Sequence, residues 1–389
     1  MLPYSKQYVD KNDIKLVAKI LKSKFLTRGK IIKKFEKKIC EYTGSKYAIA
    51  VSNASAGLHI SCMSSGLKKN DILWTVPNTF VASASCALHC NAKIDFVDID
   101  QETSNISIEK LEKKLKFSKK RNRLPKILIP VHFAGQPTDQ KKINFLSKKY
   151  GFKIIEDASH SLGASYKKEK VGSCKWSDIS VFSFHPVKPI TTAEGGVITT
   201  NSKKNYEILT KLRDHGISRD YKKLKIKSGW YYEQQLLGFN YRMNEIQAAL
   251  GLSQLRKLDN FVRFRNRLAR NYFKRLKGLP IKLPKIEKFN YSTFHLFVIK
   301  LDLKKRKFLY DKIYKKLINS GLGVNLHYLP VHFHPIFKKL GFKTGDFPNA
   351  EKHAKSAISI PIFHKMTDAQ QKKVIKILNK ILLKKYEVL

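Results

Sequence analysis

Apolar residues recur along this chain with two alternating periods. Ile31, Phe35 and Ile39 lie four residues apart and give a helix over Ile31–Tyr42 one apolar stripe. An earlier helix is predicted over Asp13–Ser23. Tyr47–Val51 is a short, nearly continuous apolar run that reads as a buried strand, followed by Ser52 and Asn53 and a helix opening at Ser55. Further strands are predicted at Ile72–Val76, Lys93–Val97, Ile127–Val131, Lys153–Glu156, Ile179–Phe184 and Gly196–Thr200. Helical patterns such as Ile108–Leu115 and Asp139–Tyr150 lie between several of them. Strands alternating with helices predict an α/β sheet sandwiched by helices. One long helix, Asn244–Arg270, is expected to lead out of that layer. A strand at His295–Leu301 and helices at Lys304–Asn319 and Asp368–Lys384 then predict a smaller α+β unit. The expected division is a large α/β domain with an N-terminal arm over residues 1–255 and a small C-terminal α+β domain over 256–389.

Charge changes the picture only in part. Lysine and arginine number 77 against 30 acids, a formal balance of +47. Such an excess raises nucleic acid or an anionic membrane as partners. The lysines are scattered in short runs such as Lys33-Lys34 and Lys37-Lys38, and no basic tail stands apart. A solvated basic surface is the simpler reading, and it would steer an anionic substrate. Neither nucleic acid nor membrane is the expected partner. No apolar run of about 20 residues that could span a bilayer occurs, and the opening MLPYSKQYVDKND lacks the apolar core of a signal peptide. The five cysteines are odd in number and form no CxxC pair, so neither a disulfide framework nor a zinc ribbon is predicted. A reducing cytoplasm is the expected location.

Three segments carry candidate chemistry. The first runs from Ser180 to Gly196. Its strand is broken by His185 and Pro186, which leaves Lys188 between Pro186 and Pro189 on a rigid loop at a strand end. A lysine there can reach a ligand at the sheet edge, where α/β folds bind them. The second is Ile154–His160, whose strand delivers Asp157 to the same edge. Asp157 could simply cap a helix, and His160 could be an ordinary core histidine. A carboxylate there also suits the protonated ring nitrogen of pyridoxal phosphate, keeping the ring electron-poor. The third is Val51–His59, where a strand meets small residues and opens a helix. Ser55 and the amides near Ala56 and Gly57 make an anion site; plain capping by Ser52, Asn53 or Ser55 is the alternative. Ser183 could add a hydroxyl, and Phe80 could stack on a ring or sit in the core. His327, His332 and His334 lack a neighbouring carboxylate or cysteine to complete a metal site, and no metal is expected.

The order of SNASAGLH, VPNTFVASA, EDASHSLGA, SFHPVKPITTAEGG and LGFNYRMNEIQAALG resembles the sugar aminotransferases of the DegT/DnrJ/EryC1/StrS family, from Pro3 to Pro361. The resemblance implies the fold type I aminotransferase architecture, with a mixed, mostly parallel sheet. It implies pyridoxal 5'-phosphate as cofactor and a homodimer with shared active sites. Lys188 would then be the Schiff-base lysine and Asp157 the partner of the pyridine nitrogen. Ser55, Ala56 and Ser183 match phosphate contacts, and Phe80 and His160 match ring contacts. Asn240 matches the asparagine that reaches the partner subunit's phosphate. Thr27-Arg28-Gly29-Lys30 departs from the family's usual Thr-Gln-Gly-Pro. Tyr4, Arg28, His327 and His332 are the implied substrate contacts. The HPVKPITTAEGG stretch is similar to one branch, which aminates a UDP-4-keto-6-deoxy-N-acetylhexosamine of altro configuration in pseudaminic acid synthesis, with L-glutamate as donor. Neighbouring branches act on UDP-4-keto-arabinose or the gluco-configured ketone. Sugar dehydratases on the same scaffold carry histidine where this chain has Lys188.

Overall fold

In the computed structural model, which describes residues 1–219, 224–226, 228–302 and 309–383, the apolar runs pair into one seven-stranded sheet. Its strands are β1 (Tyr47–Val51), β2 (Ile72–Thr75), β3 (Lys93–Phe96), β4 (Ile127–Leu128), β5 (Lys153–Asp157), β8 (Ile179–Ser183) and β9 (Gly196–Thr200). The two-residue strands β6 (Ser165–Tyr166) and β7 (Glu169–Lys170) form a hairpin outside it. The order across the sheet is β1-β9-β8-β5-β4-β2-β3. Strands β3, β2, β4, β5 and β8 pair in parallel, and β9 runs antiparallel to both of its neighbours. The mixed, mostly parallel sheet matches the expected architecture.

One strand is shorter than its apolar run. The β4 ladder stops after Leu128, because Pro130 has no N–H to donate. The Pro130 carbonyl still accepts from the Asp157 amide at 3.0 Å, and Val131 then bridges Asp157 in parallel. The proline thus ends the regular ladder where β5 presents its last residue.

The predicted single helix over Asn244–Arg270 is two helices, Glu245–Leu255 and Leu258–Arg275. The break separates two packing jobs. The first helix lies against the N-terminal helices Lys11–Leu21 and Lys30–Thr43. The second buries Leu268 and Tyr272 in another core with Phe297, Ile358 and Leu378. At the break, Lys257 Nζ pairs with Asp13 at 2.6 Å and Asp10 at 2.9 Å, tying down the N-terminal arm. That second core surrounds a three-stranded sheet of Ile281–Lys282, Phe297–Leu301 and Ala357–Ile360. The expected helix at Lys304–Asn319 is described as Leu309–Asn319, its first residues lying outside the described ones, as does Lys384 at the end of the last helix. A division at residue 255 is a proposal about folding units, and two segments cross it. Val331, Phe337, Phe347 and Ala350 pack into the core of the large sheet, while Leu2 packs against the second core.

Candidate active site

The carboxyl-terminal ends of β5 and β8 and the helix after β1 converge on a cavity of about 660 Å³. Asp157 closes β5 and is 6% exposed. Its backbone is fixed on both sides, by Pro130 as above and by the His132 amide, which donates to its carbonyl at 3.1 Å. Its carboxylate accepts from Ser83 Oγ at 2.5 Å and from the Ser159 amide at 3.1 Å. Thr79 Oγ1 lies 2.9 Å from Ser83 Oγ and extends the chain of hydroxyls. No side-chain cation bonds to Asp157 among the described residues, so its charge is directed at the cavity.

Lys188 follows β8 on a loop that its own backbone closes. The Lys188 amide donates to His185 at 2.9 Å, and Thr192 N and Thr191 Oγ1 both donate to the Phe184 carbonyl at 3.0 Å. Its Nζ has no hydrogen-bond partner among the described residues. Burial pulls the amine down to about 8, and the charge of Asp157 partly offsets that pull. An amine so placed is neutral, and hence nucleophilic, a few pH units below an ordinary lysine.

The helix Ala54–Ser64 starts at Asn53, whose Oδ1 accepts from the Ala56 amide at 2.8 Å. Two glycines let this helix settle onto the sheet. A Cβ on Gly57 would lie 2.9 Å from Val181 Cγ1, and one on Gly196 would lie 2.8 Å from the Ala54 nitrogen. The free amides at the start of this helix lie just before Ala56. Ala56 is buried and its amide is engaged by the cap, while the Gly57 amide donates to the Asn53 carbonyl at 3.1 Å. Ala54 and Ser55 line the cavity, and their amides are the ones the first turn leaves free. Ser183 lines the same cavity.

The opposite wall comes from far along the chain: Tyr4, Asn325, His327 and Tyr328. The Tyr4 ring lies 5.2 Å from that of His327. Burial raises the Tyr4 phenol and pushes His327 down to about 3, with Lys188 adding to the second shift. Tyr328 Oη lies 3.1 Å from His160 Nε2, and the two rings stack at 6.2 Å. His160 packs on His295 at 4.4 Å, and its Nδ1 is buried without a partner among the described residues. Phe80, 57% exposed, stands on the rim with its ring 6.4 Å from that of Tyr328.

Of the residues singled out in the sequence, the fold brings together Tyr4, Ser55, Phe80, Asp157, His160, Ser183, Lys188 and His327. Four others, Ala56 among them, do not line this cavity. Arg28 bonds Asp214 at 2.8 Å in a separate basic recess with Arg213 and Arg242. Asn240 is exposed and bridges Asp214 beside that recess. His332 is fully buried, with Nε2 3.1 Å from Glu351 Oε1, and its ring packs on Phe347. The substrate role expected of His332 is therefore not supported: a core pairing with Glu351 accounts for it. Residues the sequence reading missed are Thr79, Ser83, Asn325 and Tyr328. The spacing of Thr79 and Ser83 around the start of a helix was a usable signal. The other two flank His327 in the sequence, and that residue was the local signal for them.

A lysine amine with a lowered pKa, a buried carboxylate, the free amides of a helix terminus and an exposed aromatic face suit a phosphorylated aromatic aldehyde. The family comparison decides the matter. The model of the DegT/DnrJ/EryC1/StrS aminotransferase family matches residues 7–379. The chain belongs to this family. It is 38% identical over 371 residues to the UDP-4-amino-4,6-dideoxy-N-acetyl-beta-L-altrosamine transaminase of Campylobacter jejuni, covering 94% of this chain and 93% of that one. The solved structure of Helicobacter pylori PseC, an aminotransferase involved in the biosynthesis of pseudoaminic acid, superposes with a TM-score of 0.89 at 30% identity, over 98% of this chain and 99% of that chain. A putative sugar aminotransferase of Streptococcus pneumoniae, solved in its PMP-form, gives 0.90 at 25% identity, over 99% and 100%. This protein is a sugar aminotransferase that uses pyridoxal phosphate. Among the described residues no helix is long and apolar enough to cross a membrane.

Proposed function

We propose that this aminotransferase moves the amino group of L-glutamate to C4 of a UDP-linked 4-keto-6-deoxy-N-acetylhexosamine of altro configuration, a step of pseudaminic acid synthesis. The observation that carries the reading is the 38% identity, sustained over nearly both chains, to the Campylobacter transaminase. The HPVKPITTAEGG loop, which holds Lys188 in the cavity, supports it.

Bound pyridoxal phosphate supplies an electron-poor ring that accepts the electron pair released at the reacting carbon. The chain's residues supply the rest. Ser55, Ser183 and the amides of Ala54 and Ser55 would hold the phosphate at the helix terminus. Asp157, held by Ser83 and Ser159, would keep the ring nitrogen protonated. Phe80 and His160, the latter braced by Tyr328, would contact the ring. Lys188 would hold the cofactor until the donor's amine replaces it. Its neutral amine then takes the proton from Cα of glutamate, and in the second half it delivers one to C4 of the sugar. Glutamate leaves as 2-oxoglutarate before the sugar enters, so ping-pong kinetics follow.

The exposed position of Asn240, outside the cavity of its own chain, supports a homodimer in which it serves the partner's site. Mixing Lys188→Ala with Asn240→Ala protomers tests this. With both lesions in one site of the heterodimer, the other site is intact and activity returns. For the acceptor, kcat/KM is compared among the altro ketone, the gluco ketone and UDP-4-keto-arabinose, with glutamate as donor. A preference for either competitor overturns the altrosamine reading and leaves the aminotransferase in place.

A further inference from the structure

We infer that Ser359 is a positioning residue for the acceptor half-reaction: it fixes the proton of His327 on Nε2, so that a neutral N–H donor faces an oxygen of the sugar. The inference rests on the nucleotide-sugar reading above.

Ser359 lies in the strand Ala357–Ile360 and is fully buried. Two backbone bonds pair it with Asn325: Ser359 N to Asn325 O at 2.8 Å and Asn325 N to Ser359 O at 3.2 Å. That register sets its hydroxyl under the next-but-one residue, His327, with Oγ 2.7 Å from Nδ1. The segment is held from behind as well. His353 Nε2 donates to the His327 carbonyl at 2.9 Å, and the Tyr328 amide donates to Asn78 Oδ1 at 3.0 Å. The ring therefore has one orientation, with Nδ1 on Ser359 and Nε2 left for the cavity.

The serine also decides the tautomer. Among the described residues His327 is the only side-chain partner of Ser359 Oγ. If Nδ1 carried the proton, the hydroxyl would accept it and its own hydrogen would be buried without an acceptor, which is costly. If the hydroxyl donates to Nδ1, both buried groups of the pair are satisfied and the imidazole proton sits on Nε2, which faces the cavity.

The environment indicates which substrate that donor reads. Burial and Lys188 suppress the charged form of His327. Tyr4, Asn325 and Tyr328 beside it are neutral too. A wall without charge is poorly suited to the carboxylates of glutamate. It suits the hydroxyl, acetamido and ketone oxygens of a sugar, where an unpaired group discriminates between isomers.

Two measurements on the holoenzyme test this. With 15N-labelled histidine, the ring resonances of His327, assigned by their loss in His327→Gln, should report Nε2–H in the wild type and a mixture in Ser359→Ala. Nδ1–H in the wild type would overturn the inference, whatever the sugar. The second separates the half-reactions. Ser359→Ala should leave the rate at which glutamate converts the bound cofactor within about twofold, and lower kcat/KM for the keto sugar by about tenfold, the loss of one hydrogen bond. Ser359→Thr, which keeps the hydroxyl, should recover most of it. In a His327→Gln background the amide supplies an N–H without any tautomer to set, so adding Ser359→Ala should cost little more. Equal losses in both half-reactions, or the same loss in both backgrounds, would make Ser359 merely structural and sink the proposal. If the enzyme prefers another 4-keto sugar, the comparison is run with that sugar: the altrosamine reading then fails while the role of Ser359 is still decided.

Discussion

The two sides of the cleft are built in opposite ways. The floor is ionic and local. Asp157, Lys188, Ser183 and Ser55 each sit at the end of a strand or the start of the helix that follows, within a few residues of the motif that announces them. The wall is neutral and remote. Tyr4 comes from the N-terminal arm and Asn325, His327 and Tyr328 from a loop more than 100 residues beyond Lys188. Strand ends in an α/β sheet share one edge, so charged residues placed there meet whatever the rest of the chain does. The wall exists only because a second core carries its loop back over that edge. On the reading proposed above, the chemical step and the choice of substrate are encoded in different parts of the chain and can be broken separately.

The largest effect should come from the floor. Lys188→Ala should lower transamination by about 10⁴-fold, since the one group that exchanges protons with the substrate is lost. The cofactor should still bind, held by Asp157 and the helix terminus. Borohydride reduction followed by peptide mapping should label Lys188 in the wild type and no lysine in the variant. The pH dependence sharpens the point. The amine titrates near 8 in the folded protein, so the rate at which apoprotein joins the cofactor should rise up to about pH 8 and level off above it. A rise that continues to pH 10 would place Lys188 in an ordinary environment.

A smaller effect is expected where the floor is braced. Ser83→Ala removes a 2.5 Å bond to a buried carboxylate. It should cost about 10- to 150-fold in kcat, since hydrogen bonds to charged groups contribute roughly 1.5–3 kcal/mol. Because Asp157 acts on the ring in both directions, donor and acceptor half-reactions should fall together, unlike the split expected on the wall. Stopped-flow measurement of each half-reaction separates the two outcomes.

Behind the wall, the effect should appear in stability. His353 is buried with Nε2 on the His327 carbonyl and Nδ1 3.1 Å from Ser104 Oγ, and burial first, then Lys300, pushes it down to about 3. In the unfolded chain it protonates near 6.5, so between about pH 6.5 and 3 the unfolded state binds the extra proton. Stability is therefore complete above pH 6.5 and is lost as the pH falls, by roughly 1.4 kcal/mol per unit for one such histidine. His353→Gln should flatten that slope in urea titrations taken from pH 7 to pH 4. An unchanged slope would show that His353 is already charged when folded.

The smallest effect is expected outside the cleft. The Arg28–Asp214 pair is solvent-exposed at 2.8 Å, so Arg28→Ala should change stability by less than about 1 kcal/mol. A rise in acceptor KM with stability unchanged would then assign Arg28 to a substrate held across the dimer, while no change in KM would leave it a surface ion pair.

Much of this was legible in the residues themselves. The alternation of apolar runs fixed the sheet and most of its strands, because burial on both faces demands continuous Val, Ile and Phe. Prolines around Lys188 and small residues after Val51 marked the loop and the helix terminus, because backbone constraints of that kind act within a few residues. The tertiary structure alone decided the rest. His332 reads like His327 in the sequence, yet one meets Glu351 in the core and the other faces the cleft. The motif around Ala56 marks a helix start, yet only the fold shows that Asn53 Oδ1 takes the Ala56 amide. Ser359 carried no signal at all, since its partner is set by a cross-strand register 32 residues away. A motif records what the chain must do locally. Which nitrogen of a histidine faces a substrate depends on the hydrogen bond made by the other, and that partner is chosen only when distant strands pair.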